Sequence, residues 1–176
     1  HVGTVNGQES HIKFLKFIKI LLRLYPQKLF FFKPKYRFRD NYHDKSEFSE
    51  LALELQREKN FILVSNIAPR VLIENSKMSI SMPFSSPTIE ALASYHRSYY
   101  ADITNDFPSS YFSNLNKLVA KSEKEALDLF NFWLNIDDEK FRKFINENIR
   151  GSFGGPYMGN AATCIRQQII NKNEYQ

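Results

Sequence analysis

Residues 78–92, MSISMPFSSPTIEAL, join three elements without a break. A short β-like run ends in Met82-Pro83-Phe84, a Ser-Ser-Pro-Thr cluster follows, and a helix-forming run carrying Glu90 comes next. A strand that passes through a tight polar turn into a helix start is the building unit of α/β folds. It is also the geometry with which such folds hold a phosphate.

The same alternation runs along the chain. Ser10 is placed to cap a helix from His11 to about Tyr25, with Phe14, Leu15, Ile18, Leu21, Leu22 and Tyr25 at helical spacing. Residues 28–33 read as a buried strand stopped by Pro34, and Ser46 then caps a helix through Lys59 with Phe48, Leu51, Ala52 and Leu55 on one face. Residues 61–65 are a second apolar strand, Arg70–Ser76 a short helix, 78–82 a third strand and Thr88–Ser94 the next helix. Residues 98–101, SYYA, read as a strand, and 102–117 as a loop. Ser122 caps a helix to about Leu134 with Glu125 in the capping-box position, and a further helix starts at Asp137 or Asp138 and runs to Ile149. A Gly-rich loop at 150–159 precedes a last helix over 160–170.

Short apolar strands alternating with amphipathic helices predict α/β class: a Rossmann-like open parallel sheet of about four to five strands, with helices on both faces. At 176 residues, 43% hydrophobic and 24% charged, the chain suits one soluble globular domain, here residues 10–176. Residues 1–9 carry no periodic pattern and read as a tag remnant, a linker or a cut inside a longer protein. The single cysteine, Cys164, excludes an internal disulfide and a Cys-rich zinc site, and fits a reducing compartment such as the cytoplasm. No run of about 20 apolar residues predicts a membrane-spanning helix. The net charge of +5 favours anionic partners without choosing among them.

In an open α/β sheet, ligands bind beyond the carboxyl ends of the strands. Three polar loops fall there. After Met82, the hydroxyls of Ser85, Ser86 and Thr88 join the unbonded N–H groups of a helix start, a setting that favours phosphate. Glu90, one turn in, is within reach of ribose hydroxyls; the alternative for the whole turn is a plain N-cap. After Phe32, Lys33 and Lys35 are placed to neutralise phosphate; the alternatives are a solvated basic loop or a single-strand nucleic-acid contact running to Arg39. After Ala101, Asp102, Ser109, Ser110 and Tyr111 stand on a loop able to close over a ligand, or on an ordinary surface loop. His43 and His96 are isolated, and no P-loop, GxGxxG or HExxH pattern occurs, so no metal and no catalytic residue is assigned.

Four segments, in order, resemble bacterial surface-polysaccharide glycosyltransferases of the GT-B type. FFFKPK at 30–35 looks like the basic strand-end motif of their C-terminal half, and SKMSISMPFSSPTIEAL at 76–92 like the signature S-x-x-ISMPFTSP…EA. RSYYADITNDFPSSY at 97–111 looks like the YYDP strand and its loop, except that Ala101-Asp102 stands where Asp-Pro is expected. GNAATCIRQQI at 159–169 looks like the closing helix. That half is similar to those of sialyl and Kdo transferases.

The resemblance implies one nucleotide-sugar-binding half, with a CMP-sugar favoured and a UDP- or GDP-sugar as alternatives. It implies phosphate contacts from Ser85, Ser86, Thr88, Lys33 and Lys35, a ribose contact from Glu90, and no nucleic acid. The acceptor site and catalytic base would come from an N-terminal half or a partner subunit. It also implies a cytoplasmic place at the inner face of the bacterial inner membrane. The helix at 11–25, with Lys13, Lys16, Lys19 and Arg23 beside its apolar stripe, would make a peripheral membrane contact there. The alternatives are an ordinary surface helix and, for the chain as a whole, a non-catalytic protein-interaction module of immunity type or a nucleic-acid-binding domain.

Overall fold

The structure, a computed structural model, describes residues 7–34, 47–109, 112–115 and 117–149. Lys35, the basic loop to Arg39, His43, Ser46, Ser110, Tyr111, the Gly-rich loop and the helix expected over 160–170 with Cys164 lie outside the described residues. The chain divides into two compact units, His1–Ile136 and Asp137–Gln176.

In the first unit the elements are α1 (Gly7–Leu24), β1 (Phe30–Phe32), α2 (Glu47–Leu55), β2 (Phe61–Leu63), α3 (Pro69–Glu74), β3 (Met78–Ser81), α4 (Ser86–Ala93), β4 (Arg97–Ala101), β5 (Val119–Ala120) and α5 (Glu123–Asn135). A 3-10 turn at Phe112–Asn114 lies between β4 and β5. The second unit is described through α6 (Asp138–Asn148), where Asp137 accepts the Lys140 N–H at 2.8 Å as N-cap.

The α/β class and the parallel pairing are as expected. The strands form two small parallel sheets, β1-β2 and β3-β4-β5, with every pairing parallel. β4 is the central strand of the larger sheet, and its residues Ser98 to Ala101 are all buried. Side chains alternate between the faces of a strand, so Tyr99 points opposite to Ser98 and Tyr100. The Tyr99 hydroxyl donates to the Ala126 carbonyl on α5 at 2.7 Å. On the other face, the Ser98 hydroxyl donates to Thr88 of α4 at 3.2 Å. A helix therefore covers each face of this sheet.

The smaller sheet is one-sided among the described residues. Phe32 and Phe61 stack inward, with ring centres 5.8 Å apart, and Phe30 faces Phe130 of α5. Phe31 and Ile62 are register partners on the opposite face and are 48% and 37% exposed. α5 thus reaches both sheets, and Trp133, Phe130 and Ala126 bury its apolar stripe.

α1 differs from expectation at its start. It begins before Ser10, so Ser10 lies inside the helix rather than capping it. Its hydroxyl donates instead to the Asp106 carboxylate at 2.5 Å, a stronger charge-assisted acceptor than a helix-end amide bond provides. Its apolar stripe packs within the fold: Phe14, Leu15, Phe17, Ile18, Leu21 and Leu22 are buried. The lysines of its outer face pair with carboxylates, Lys13 with Glu9, Lys16 with Glu47 and Lys19 with Glu54. No described helix is long and apolar enough to cross a membrane.

Candidate functional site

β3 ends at Ser81, and Met82-Pro83-Phe84 carries the chain over its carboxyl end to Ser85, the N-cap of α4. Ser85 has the extended backbone of a cap (φ −89°, ψ 145°), yet its side chain accepts no hydrogen bond from the helix. Its hydroxyl instead donates back to the Met82 carbonyl at 3.0 Å, which closes the turn and leaves the oxygen's lone pairs to accept. Pro87 sits in the first turn, where its fixed φ suits the helix and its missing N–H is no loss. The N–H groups of Ser86 and Thr88 belong to the first turn of the helix, ahead of its own i→i−4 ladder. Ser86 is exposed, and no acidic residue occupies this first turn.

α5 provides the contrast. There Ser122 accepts the Glu125 N–H, Glu125 accepts the Lys121 N–H at 2.8 Å, and Glu123 and Glu125 offset the helix dipole. The start of α4 has no such internal anion, so its partial positive charge is directed outward.

The turn is held from beneath by Tyr100. Its hydroxyl donates to the Ser85 carbonyl at 2.8 Å, and burial pushes the phenol up to about 12. The Phe84 ring meets Tyr100, Phe107 and Phe112 at centre distances of 5.1, 5.2 and 5.0 Å. These contacts bring the turn after β3 and the loop after β4 into one assembly.

The predicted site residues separate into distinct roles. Thr88 is fully buried and accepts from Ser98, which accepts from Ser79 at 2.8 Å. Its side chain thus fastens α4 to β3 and β4. Asp102 is 2% exposed; one carboxylate oxygen accepts the Asp106 N–H at 3.0 Å and the other the Phe107 N–H at 3.1 Å. Ser109 is exposed on the same loop.

Glu90 is exposed on α4. The Arg70 guanidinium is held above its ordinary value by its hydrogen bond to Glu74 first, and more weakly by the charge of Glu90. Lys33 belongs to the smaller sheet, where its ammonium reaches the Ser65 carbonyl at 3.2 Å across the carboxyl ends of β1 and β2. It therefore stands at a different sheet's end from Ser85 and Ser86. Among the described residues, no group of three or more His, Cys, Asp or Glu is arranged to hold a metal ion.

Sequence reasoning missed Tyr100, Ser98 and Phe107 as partners of the turn. The signal was present in RSYYA: a strand with consecutive tyrosines must send their hydroxyls to opposite faces.

A family model described as "Polysaccharide biosynthesis PFTS motif protein" matches residues 6–130. No curated protein and no solved structure matches the chain. Within the matched stretch the turn that opens α4 reads Pro83-Phe84-Ser85-Ser86, one residue away from the letters P-F-T-S of the family's description. The match spans more than half of the 176 residues, and the chain belongs to the family of polysaccharide biosynthesis PFTS motif proteins.

Proposed function

We propose that this chain is the donor-binding part of a glycosyltransferase of GT-B type, which takes a sugar from a nucleotide-sugar to a polysaccharide or lipid-linked glycan. The observation that carries the reading is the Pro83-Phe84-Ser85-Ser86 turn at the carboxyl end of β3, where an uncompensated helix start stands beside an exposed hydroxyl. A donor phosphate there would take hydrogen bonds from the Ser86 and Thr88 N–H groups and from the Ser86 hydroxyl. Ser85, its hydroxyl proton committed to the Met82 carbonyl, would fix the turn.

In the transfer step the sugar–phosphate bond breaks and negative charge grows on the leaving phosphate. Dipoles already oriented toward that charge stabilise it without reorganising. Lys33, Lys35 and Glu90 remain proposed contacts to phosphate and ribose. The acceptor site and the catalytic base would be supplied by a second half, in the same protein or in a partner subunit. A CMP-sugar is the favoured donor, and the site of action is the cytoplasmic face of the bacterial inner membrane.

Calorimetric titration with CMP-, UDP- and GDP-sugars tests the reading. Saturable binding of one class is expected, and a folded protein that binds none of them contradicts it. The open face carrying Leu29, Phe31 and Ile62 favours a second reading, a protein-interaction module. That reading expects a stable protein complex that protects this face, and no nucleotide-sugar binding.

A further inference from the structure

We propose that Phe107 is the aromatic platform on which the base of the bound nucleotide stacks, and that Asp102 is the residue that positions it. The inference rests on the nucleotide-sugar reading of the Ser85 turn. The loop after β4 is fixed at Phe107 from several sides. Asp102, itself buried, accepts the Asp106 and Phe107 N–H groups with separate oxygens. The Phe107 carbonyl accepts from the Ser113 hydroxyl at 2.6 Å. The Asp106 carboxylate accepts from Thr104 at 2.6 Å and from Ser10 of α1 at 2.5 Å.

Despite these restraints the Phe107 ring is not buried. The ring meets Phe84 in an edge-type contact at 63° between ring planes, and 37% of the residue stays exposed. A ring already held by a neighbour and still partly exposed loses little entropy when a flat partner covers it. Phe84 immediately precedes the N-cap serine, and its ring also meets Tyr100, which bonds the Ser85 carbonyl. Platform and anion-binding turn are therefore parts of one packed cluster. A nucleotide has the matching pair of groups: a phosphate for the helix start and an aromatic base for the ring. Stacking of a base on an aromatic side chain tolerates any base, so Phe107 sets affinity for nucleotides over simple phosphates rather than the choice of base.

The test compares CMP with ribose 5-phosphate, which shares the phosphate and sugar but has no base, in calorimetry on the full chain. Phe107→Ala and Phe107→Leu should each weaken CMP binding roughly ten-fold and leave ribose 5-phosphate unchanged. Leu keeps apolar packing on Phe84, which guards against a simple loss of fold. Phe107→Tyr should retain CMP affinity. Asp102→Asn should lower CMP affinity more than ribose 5-phosphate affinity, because it frees the platform but not the turn. Equal effects on both ligands, or no effect of Phe107→Leu on CMP, overturn the inference while leaving the phosphate site standing. Failure of the wild-type chain to bind either ligand removes the reading of the turn, and this inference with it.

Discussion

The hydroxyl of Tyr100, on the central strand β4, donates to the backbone carbonyl of Ser85, the N-cap of α4, at 2.8 Å. That bond ties the sheet's interior to the Pro83-Phe84-Ser85-Ser86 turn. The phenol has no exposed role; it fixes the height and tilt of a helix start that is otherwise uncapped by any side chain. Tyr100→Phe keeps the ring contact with Phe84 and deletes only the donor. It should cost about 1 kcal/mol of stability, a typical value for one hydrogen bond, measured by urea unfolding. Nucleotide-sugar affinity should fall with it, because the Ser86 N–H loses its fixed direction.

Thr88 and Ser86 should behave oppositely although both are hydroxyls of one turn. Thr88→Val is nearly isosteric but leaves the buried Ser98 hydroxyl without its acceptor. Thermal or urea unfolding should register a loss of about 1–3 kcal/mol, with donor affinity little changed. Ser86→Ala, on an exposed side chain, should leave stability within about 0.5 kcal/mol and weaken donor binding. A stable Thr88→Val protein that has lost binding would return Thr88 to the ligand.

Alkaline pH should unfold the first unit early. Burial raises the Tyr99 phenol well above its ordinary value and pushes Tyr100 up to about 12. The unfolded phenols ionise near pH 10. Below that pH both states are protonated, and the stability from the buried neutral phenols is complete. As pH rises from about 10 toward about 12, the unfolded state releases protons first, and that stability is lost. Phenolate absorbance should therefore rise together with loss of near-ultraviolet dichroism, and Tyr100→Phe should blunt the transition.

The Ser122–Glu125 capping box gives a control that touches no candidate site. Ser122→Ala should destabilise by about 1 kcal/mol, and nucleotide-sugar affinity measured on the folded fraction should not change.

Local signals made much of this architecture legible. The helix periods at Phe14–Leu22 and Phe48–Leu55, the capping box at Ser122 and the strand–turn–helix at 78–92 depend on residues within one or two turns, and the structure has all of them. Long-range contacts were not legible. β5 is the two residues Val119–Ala120, too short to carry a period, and it forms only because Tyr100 and Asp102 offer N–H groups to Leu118 and Ala120. The inward turn of Thr88 depends on Ser98 ten residues away, and the fate of the Asp102 carboxylate depends on how its loop folds. Division of the strands into two sheets is likewise a tertiary fact: it puts Lys33 at the end of β1 in one sheet and the Ser85 turn at the end of β3 in the other.

The central claim is that the Ser85-Ser86 turn holds the phosphate of a nucleotide-sugar. The measurement that addresses it most directly is calorimetric titration of CMP-sugar against the wild-type chain and the Ser85→Ala/Ser86→Ala double variant, with folding of both verified by circular dichroism. The account predicts saturable binding by the wild type and at least ten-fold weaker binding by the variant, about 1.4 kcal/mol. Equal affinity in the two proteins would contradict it.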